Sequence, residues 1–223
     1  SHSRTVIVEE FIEGLHLTVD GYIFSELGAK SMACASKKLI DNKKQVAMDI
    51  IYPAEIKQKL KHKVMKLNEK INNMLGFKFG LTHTEYMMTS KGKFYLIESA
   101  NRGGGCFTSQ IILPFHSNFN LFNQIESDIF GLKKFPLLNL KENPVILKFF
   151  EVRSGKIKKI SGIKKLKINK NILKFRLNFK KNETINEISN DGNRHGFVIM
   201  KGDKKNLRKN STNFIKKIKL DYF

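Results

Sequence analysis

Charged and amide side chains cluster where one apolar stretch of the sequence ends. The run from Phe94 to Ala100 is rich in aromatic and apolar residues, which indicates a β-strand, and it delivers Glu98, Asn101 and Arg102 to its end. A carboxylate and an amide oxygen three positions apart supply the ligands that a hard cation prefers. The adjacent guanidinium of Arg102 has paired N–H donors that can bind two oxygens of a phosphate or a carboxylate. These residues predict a site for a metal ion and a phosphate.

Three consecutive glycines, Gly103 to Gly105, follow this polar group directly. Most glycine pairs are only turns, so the glycines alone would be weak support for a binding site. A loop beside a phosphate, however, needs exposed N–H groups and a close approach of the backbone. We therefore expect this loop to take part in binding a phosphorylated ligand.

A second carboxylate, Glu85, lies on the apolar stretch just upstream. The polar residues 90–93 predict a turn that folds this stretch back as a β-hairpin onto the strand of Glu98. Acids on neighbouring strands repel each other unless a cation lies between them. Taken singly, each glutamate is better explained as a solvent-facing strand residue. Together with Asn101 and Arg102, the two predict a cradle for Mg²⁺.

Three segments, taken in order along the chain, resemble the nucleotide-binding half of the ATP-grasp superfamily. They are Val8 to Gly14, His83 to Glu85, and Leu96 to Gly105. The chain looks most similar to the branch that holds amino-acid ligases, carbamoyl-phosphate synthase and biotin carboxylase. The resemblance implies an α+β fold: an ATP-grasp-type antiparallel sheet with packing helices, plus a small, mainly β C-terminal domain.

The resemblance also implies a role for each matched position. The first segment would hold the adenine and ribose of ATP, and Glu85, Glu98 and Asn101 would bind its Mg²⁺, or Mn²⁺ in its place. Arg102 would be the catalytic residue that contacts the phosphates. The nucleotide-binding residues would be Glu9, Glu10, Phe11, Ile12, His16, Gly103 and Gly104. Relatives often have an acid where this chain has His16, so this position departs from the family pattern.

The segment just after the glycines would help to bind the acyl or acceptor substrate in this family. Thr108 and Ser109 are the candidates, with helix capping as the alternative explanation. Lys37 and Lys38 follow a short predicted strand and could face phosphates or water, with water as the default. His195 is better explained as structural than as catalytic, because the sequence names no acid partner for it.

The function that the resemblance implies is ATP-dependent ligation. A carboxylate substrate would form an acyl phosphate, which an amine or a thiol would attack, releasing phosphate and leaving ADP. The alternatives are a carbamoyl-phosphate synthase-like or biotin carboxylase-like enzyme, or a catalytically incomplete basic binding module with the same fold. The partners implied are small-molecule carboxylate and amine substrates, and a missing N-terminal half or partner subunit. We expect the chain to be a C-terminal fragment that is inactive, or nearly so, alone.

The net charge of +21 is concentrated in the C-terminal part of the chain. Residues 141–223 hold 23 Lys and Arg against 7 Asp and Glu, a net charge of +16, whereas residues 1–140 hold 18 against 13. Such a region could bind nucleic acid or an anionic membrane. Its lysines are scattered among Ile, Asn, Leu and Phe, without a nucleic-acid-binding motif or a run of five like charges. A solvated basic face is the better explanation.

The two cysteines, Cys34 and Cys106, are too few for a disulfide framework and lack the spacing of a zinc site. Cys106 follows the glycines and could be a nucleophile, but a buried small residue is the better explanation. The sequence shows neither a signal-peptide pattern nor an apolar run long enough to span a bilayer. We therefore expect a cytoplasmic protein that does not enter membranes.

The first third of the sequence predicts strands and one long helix. Residues 6–8 form an apolar run that predicts a strand, and Asp20-Gly21 predicts a hairpin turn between strands at 15–19 and 22–26. Residues 55–75 carry apolar side chains at three- and four-residue steps, which predicts a helix that stops at Gly76.

Beyond the glycines, one or two helices are predicted over residues 110–131. Composition shifts around Phe135-Pro136, so we expect a boundary near residue 140 between a partial nucleotide-binding domain (1–140) and a small basic domain (141–223). Short strands and a final helix over residues 204–218 are expected in the second domain.

Overall fold

The computed structural model of the chain describes residues 5–40, 45–132, 139–163 and 169–223. Its strands, in chain order, are β1 (Leu15–Phe24), β2 (Gly28–Leu39), β3 (Ala47–Tyr52), β4 (Gly80–Met88), β5 (Phe94–Ala100), β6 (Val145–Phe149), β7 (Gly155–Ser161), β8 (Ile172–Leu177), β9 (Thr184–Ile185), β10 (Gly196–Lys201) and β11 (Lys219–Tyr222). Its α-helices are α1 (Gln58–Met74), α2 (Leu113–Ser117), α3 (Leu121–Ile129) and α4 (Leu207–Ile215). A π-helix (Thr108–Ile112) precedes α2, and a 3₁₀ turn (Asp191–Asn193) precedes β10.

Within the described ranges, eight strands form one antiparallel sheet in the order β5-β4-β1-β2-β3-β6-β10-β8. A smaller sheet has the order β11-β7-β9. Helices cover the large sheet, so the predicted α+β fold with a large antiparallel sheet and packing helices is confirmed.

Side chains alternate between the two faces of the sheet, as they must in any strand. On β1, Leu17 and Val19 pack against α1 in one apolar cluster, whereas Tyr22 belongs to another cluster that includes Leu113 and Phe119. The residues of β1 between them, Thr18 and Asp20, are buried but polar. The face opposite α1 therefore combines an apolar core with buried polar groups, and these groups form the candidate site.

The hairpin turn predicted at Asp20-Gly21 is wrong. Strand β1 runs through these residues, and the turn that joins it to β2 lies at residues 25–27. The pairing of β1 with β2 instead shifts register at this point. Gly21 is required by a close approach, because a Cβ there would lie 2.4 Å from the carbonyl oxygen of Lys30. Asp20 is buried by long-range partners rather than exposed at a turn.

The strand predicted at residues 6–8 is also absent. This segment has no regular secondary structure, and its three side chains are exposed. A strand is stabilised only when a neighbour pairs with it, and no strand in the described part of the chain lies beside these residues.

The other elements near the site agree with the sequence. Helix α1 ends at Met74, two residues before Gly76, whose φ of 72° permits the chain to leave the helix. The predicted hairpin is formed by β4 and β5, and helices follow the glycines. Strand β3 pairs with β6, so the large sheet crosses the boundary expected near residue 140. That division into domains stays a prediction, and Phe135-Pro136 lies outside the described residues.

Candidate functional site

Glu85 on β4 and Glu98 on β5 are direct partners across the hairpin. Their neighbours Thr84 and Ser99 face α1, where the two hydroxyls lie 2.9 Å apart and Ser99 donates to Asn72. By alternation, the two glutamates point to the opposite face. The structure therefore brings the two predicted acids to the same place.

Arg102 and Asn101 lie just beyond the end of β5. The Nη2 atom of Arg102 lies 3.8 Å from Oε1 of Glu98, and both side chains are more than half exposed. Asn101 uses its Nδ2 to donate to the carbonyls of Phe79 and Leu81, at 3.3 and 2.9 Å. Alternation places Ala100, rather than Asn101, on the face of Glu98. The amide thus anchors the start of β4, and its role as a metal ligand stays a prediction.

The glycine loop packs closely against the residues that follow it. A Cβ on Gly103 would lie 1.8 Å from Oγ of Ser109, and one on Gly104 would lie 2.9 Å from Nδ1 of His83, whereas a Cβ on Gly105 would meet nothing within 4 Å. None of the three has a positive φ; the residues that do are Cys106 and Phe107, at 53° and 64°. The first two glycines are therefore needed for close packing beside the site.

We expect Gly103→Ala to lower the free energy of unfolding by about 1–3 kcal/mol, because the new methyl group displaces Ser109 from a packed position. Gly105→Ala is the matched control, since a methyl group there enters open space. Urea unfolding of the three proteins measures the difference. Equal stability of the two variants would contradict the close packing.

Three nitrogen-bearing side chains surround the carboxylate of Glu85. Nε2 of His16 lies 2.7 Å from Oε2 of Glu85. Nζ of Lys37 donates a hydrogen bond to Oε1 of the same carboxylate, and Nε2 of His83 lies 3.3 Å from that oxygen. Burial alone would raise the pKa of Glu85, but the hydrogen bonds from His16 and His83 and the charge of Lys37 overcome it and hold this pKa well below its ordinary value. Glu85 is therefore a firmly ionised carboxylate.

A buried polar chain continues from Glu85 into the core. Nδ1 of His83 lies 2.7 Å from Oδ1 of Asp20, and the hydroxyl of Tyr52 donates to Oδ2 of Asp20 at 2.7 Å. Burial alone would lower the pKa of His83, but the charge and hydrogen bond of Asp20, with the hydrogen bond to Glu85, raise it to about 9. Because both ring nitrogens face carboxylates, which only accept, His83 donates from both as an imidazolium.

Two further polar atoms near Glu85 are buried without a hydrogen-bond partner among the described residues. Nδ1 of His16 and Oγ1 of Thr18 are buried and have no hydrogen-bond partner within the described ranges. Thr18 is the partner of Glu85 across β1 and β4. Orphaned polar atoms beside an ionised carboxylate fit a site that takes a polar ligand.

The other predicted nucleotide-binding residues lie in the segment before β1. Glu9, Glu10 and Phe11 are exposed and Ile12 is half-buried. They make no side-chain hydrogen bond or ion pair with the part of the chain that the structure describes. The structure therefore brings His16, but none of these four, into contact with Glu85.

Thr108 and Ser109, the candidates after the glycines, contact the glycine loop. Oγ1 of Thr108 donates to the carbonyl of Gly105 at 2.7 Å, and Ser109 is buried against the loop. His195 bridges the backbone of Val152 and Asn186 through its two ring nitrogens, which fits the structural role.

The expectation that Cys106 is buried is wrong. The residue is exposed and has a positive φ, because the chain turns sharply into the π-helix at this point. Partial burial of its thiol raises the pKa of Cys106 despite the nearby Arg194, so that the thiol is not activated as a nucleophile.

The donor set at Glu85 and Glu98 fits Mg²⁺. This ion is usually held by one or two carboxylates together with substrate phosphates and water, rather than by a cage made only of protein ligands. No group of three or more His, Cys, Asp and Glu side chains in the described ranges is arranged to hold a metal ion.

Comparisons with known proteins agree with this geometry. Residues 1–110 match the family described as the ATP-grasp domain. A search of curated proteins finds no match. The fold is similar to that of an L-amino acid ligase from Bacillus licheniformis, with a TM-score of 0.82 at 17% identity over 96% of this chain and 55% of that one.

Two other solved structures have a similar fold. A phosphoribosylglycinamide synthetase from Anaerococcus prevotii has a TM-score of 0.76 at 15% identity, over 96% of this chain and 55% of that one. A biotin carboxylase from Campylobacter jejuni has a TM-score of 0.70 at 14% identity, over 96% of this chain and 48% of that one. This chain thus spans about half the length of the proteins that it matches.

The large antiparallel sheet with its packing helices defines the class as an ATP-grasp fold. The family match assigns residues 1–110, about half of the chain, to the ATP-grasp superfamily. None of the helices in the described ranges is long and apolar enough to cross a membrane.

Proposed function

We propose that this chain carries the metal- and phosphate-binding side of an ATP-dependent ligase that joins a carboxylate to an amine or a thiol. The observation that carries the proposal is the pairing of Glu85 with Glu98 across β4 and β5, with Arg102 directly after the strand. The same arrangement would serve a carbamoyl-phosphate synthase-like or biotin carboxylase-like reaction. The paired acids therefore support ATP-dependent chemistry, and the identity of the carboxylate and the acceptor is a separate step of the proposal.

The chain's own residues would act by position and charge. Glu85 and Glu98 would hold Mg²⁺, and Asn101 is the third ligand that the resemblance implies. When bound, the ion neutralises phosphate oxygens during phosphoryl transfer. Lys37, His16 and His83 fix the Glu85 carboxylate in one orientation. The exposed guanidinium of Arg102 would stabilise charge that develops on the transferred phosphoryl group.

The reaction balances without a protein nucleophile. A carboxylate oxygen of the substrate attacks the γ-phosphorus of ATP, the bond from that phosphorus to the bridging oxygen breaks, and ADP leaves. The acceptor then attacks the acyl carbon of the acyl phosphate, and inorganic phosphate leaves as the acceptor loses its proton. The protein's task is to hold these groups in line and to exclude water.

We expect magnesium-dependent binding of ATP and ADP that weakens at least about 100-fold in the Glu85→Gln/Glu98→Gln variant, because both charged metal ligands are lost. Calorimetric titration with Mg-ATP and Mg-ADP, and with the nucleotides in EDTA, measures this. Glu126→Gln/Glu187→Gln is the matched control, since it removes two exposed carboxylates elsewhere. Unchanged affinity in the first variant would refute the site.

The competing function, a basic binding module, has its own test. Salt-sensitive binding to single- or double-stranded nucleic acid that Glu98→Gln leaves undiminished would favour the module over the ligase. We expect no such binding, because the excess cations of residues 141–223 are scattered along the sequence.

A further inference from the structure

A cleft of about 580 Å³ lies where the segment after the glycines meets the C-terminal strands. Its floor is aromatic: the ring of Phe107 lies 5.6 Å from that of Phe197, which lies 6.4 Å from that of Phe149. Its walls carry three cations, Arg176, Lys180 and Arg194. The volume falls in the range of small-molecule sites, roughly 300–1,000 Å³. None of the predicted metal or nucleotide residues lines it.

Arg194 is the buried cation of this cleft. Only 7% of it is exposed, its guanidinium carbon lies 3.9 Å from the centre of the Phe149 ring, and it forms an ion pair with Asp191. Its Nε is buried and has no hydrogen-bond partner among residues that the structure describes. An unsatisfied guanidinium donor is unfavourable in a buried place. A ligand oxygen would supply the acceptor that the folded chain does not.

The loop around Arg194 is held in place before any ligand arrives. Oδ1 of Asn190 accepts from the backbone N–H groups of Gly192 and Asn193, at 2.8 and 3.2 Å, and so caps the 3₁₀ turn. Nδ2 of Asn178 donates to the carbonyl of Arg194 at 2.8 Å. A site whose groups are already ordered loses less entropy when a ligand binds.

Positive charge is in excess on the wall opposite. Arg176 on the edge strand β8 is exposed and makes no ion pair within the described ranges, and Nζ of Lys174, two residues earlier on the same face, lies 5.3 Å from the Phe107 ring. Of the two acids that line the cleft, only Asp191 forms an ion pair in the described ranges. Glu183 accepts from the backbone N–H of Lys180 at 2.7 Å, and Asp191 pairs with Arg194. Three cations against two acids leave the cleft with a net positive charge beside its aromatic residues.

We propose that this cleft binds the carboxylate substrate, and that the substrate is a small carboxylic acid with an aromatic or branched apolar side chain. This inference rests on the proposed function. The carboxylate contacts Arg176 and Arg194, whose forks match its two oxygens, and the apolar group covers Phe107 and Phe149. Cys106 and Phe107 line the cleft directly after the glycine loop, and Gly104 of that loop packs against His83, the neighbour of Glu85.

The test compares acids with their neutral amides on the 223-residue chain. The probes are 3-phenylpropanoate, 4-methylpentanoate and L-phenylalanine, each beside its primary amide, titrated by ligand-observed NMR without nucleotide. We expect each acid to bind at least about tenfold more tightly than its amide, because a charged acceptor is lost. Arg176→Gln and Arg194→Lys should remove most of this preference. Lys209→Gln, which removes one exposed cation on α4, should keep it.

If the variant of the buried Arg194 fails to fold, the acid preference of Arg176→Gln alone tests the proposal, because Arg176 is exposed and its replacement should leave the fold intact. Equal binding of acid and amide to the wild-type chain, absence of binding by all three acids, or an unchanged preference in Arg176→Gln would each overturn the proposal. Competitive displacement of the acids by Mg-ADP would also overturn it, since the cleft would then belong to the phosphates. If the acids bind but Mg-ATP does not, the cleft proposal stands and the proposed nucleotide site at Glu85 and Glu98 is refuted. Failure of the cleft proposal and failure of the proposed function therefore give different results.

Discussion

Replacing Asp20 by asparagine is expected to lower the free energy of unfolding by about 3 kcal/mol at pH 7. The Asp20 carboxylate is 1% exposed and faces the His83 imidazolium at 2.7 Å. Removing one partner of a buried charge pair typically destabilises a protein by several kcal/mol, and here His83 must give up its proton once the Asp20 charge is gone. Urea unfolding of the wild-type chain and of Asp20→Asn in EDTA measures the difference.

Tyr52→Phe is the control for this prediction. It removes the other hydrogen bond to Asp20, at 2.7 Å, but leaves the ion pair with His83, so we expect a loss of only about 1 kcal/mol. The side-chain ¹⁵N shifts of His83 give an independent readout, since they report an imidazolium in Tyr52→Phe and a neutral ring in Asp20→Asn. A loss in Asp20→Asn no larger than that in Tyr52→Phe would show that the charge of this pair contributes nothing.

The same residue shows where sequence reasoning stops. Asp-Gly is a strong local signal for a hairpin turn, and the prediction placed the turn there. The fold instead keeps both residues inside β1, because Asp20 gains partners on β3 and β4 that lie 32 and 63 residues further along the chain. Long-range pairing overrides a dipeptide preference when the strand is buried on both faces, as most of β1 is.

The acids of the site could be predicted because they lie on one local hairpin. Glu85 and Glu98 are joined by a short turn, so the register follows from the sequence between them. The contact of Lys37 with Glu85 could not be predicted, and His16 was in the predicted set only through the resemblance, since the two residues reach Glu85 across 48 and 69 residues. The one available signal was the alternation of His16, Thr18 and Asp20 along β1, a polar stripe in an otherwise apolar strand.

One predicted metal ligand, Asn101, is supported by the family resemblance and not by a contact in the structure. Asn101 lies three residues after Glu98, and spacing alone suggested a shared ligand. Asn101 lies just beyond β5 and its Nδ2 donates to the carbonyls of Phe79 and Leu81, so its role as a metal ligand stays a prediction. The C-terminal cleft was not predicted at all, because its residues come from four separate segments that only the sheet order β6-β10-β8 brings together.

Stability is expected to fall as the pH rises from about 6.5 to about 9 in metal-free solution. The pKa of His83 is raised from 6.5 to about 9 in the folded chain, chiefly by Asp20 acting against the effect of burial. A group with a raised folded pKa contributes stability that is fully present below its unfolded pKa and is lost as the pH passes its folded pKa. The shift corresponds to a contribution of up to about 3 kcal/mol. Urea unfolding in EDTA at pH 6.5, 7.5, 8.5 and 9.5 measures it.

His83→Gln separates this effect from all other titrations. Glutamine keeps a donor for Asp20 but has no charge to lose, so the fall in stability above pH 6.5 should flatten even though the variant is less stable at pH 6.5. A variant with the same slope as the wild-type chain would assign the titration to another group. A flattened slope would assign the titration to His83, whose imidazolium lies between Asp20 in the core and Glu85, the carboxylate proposed to bind Mg²⁺.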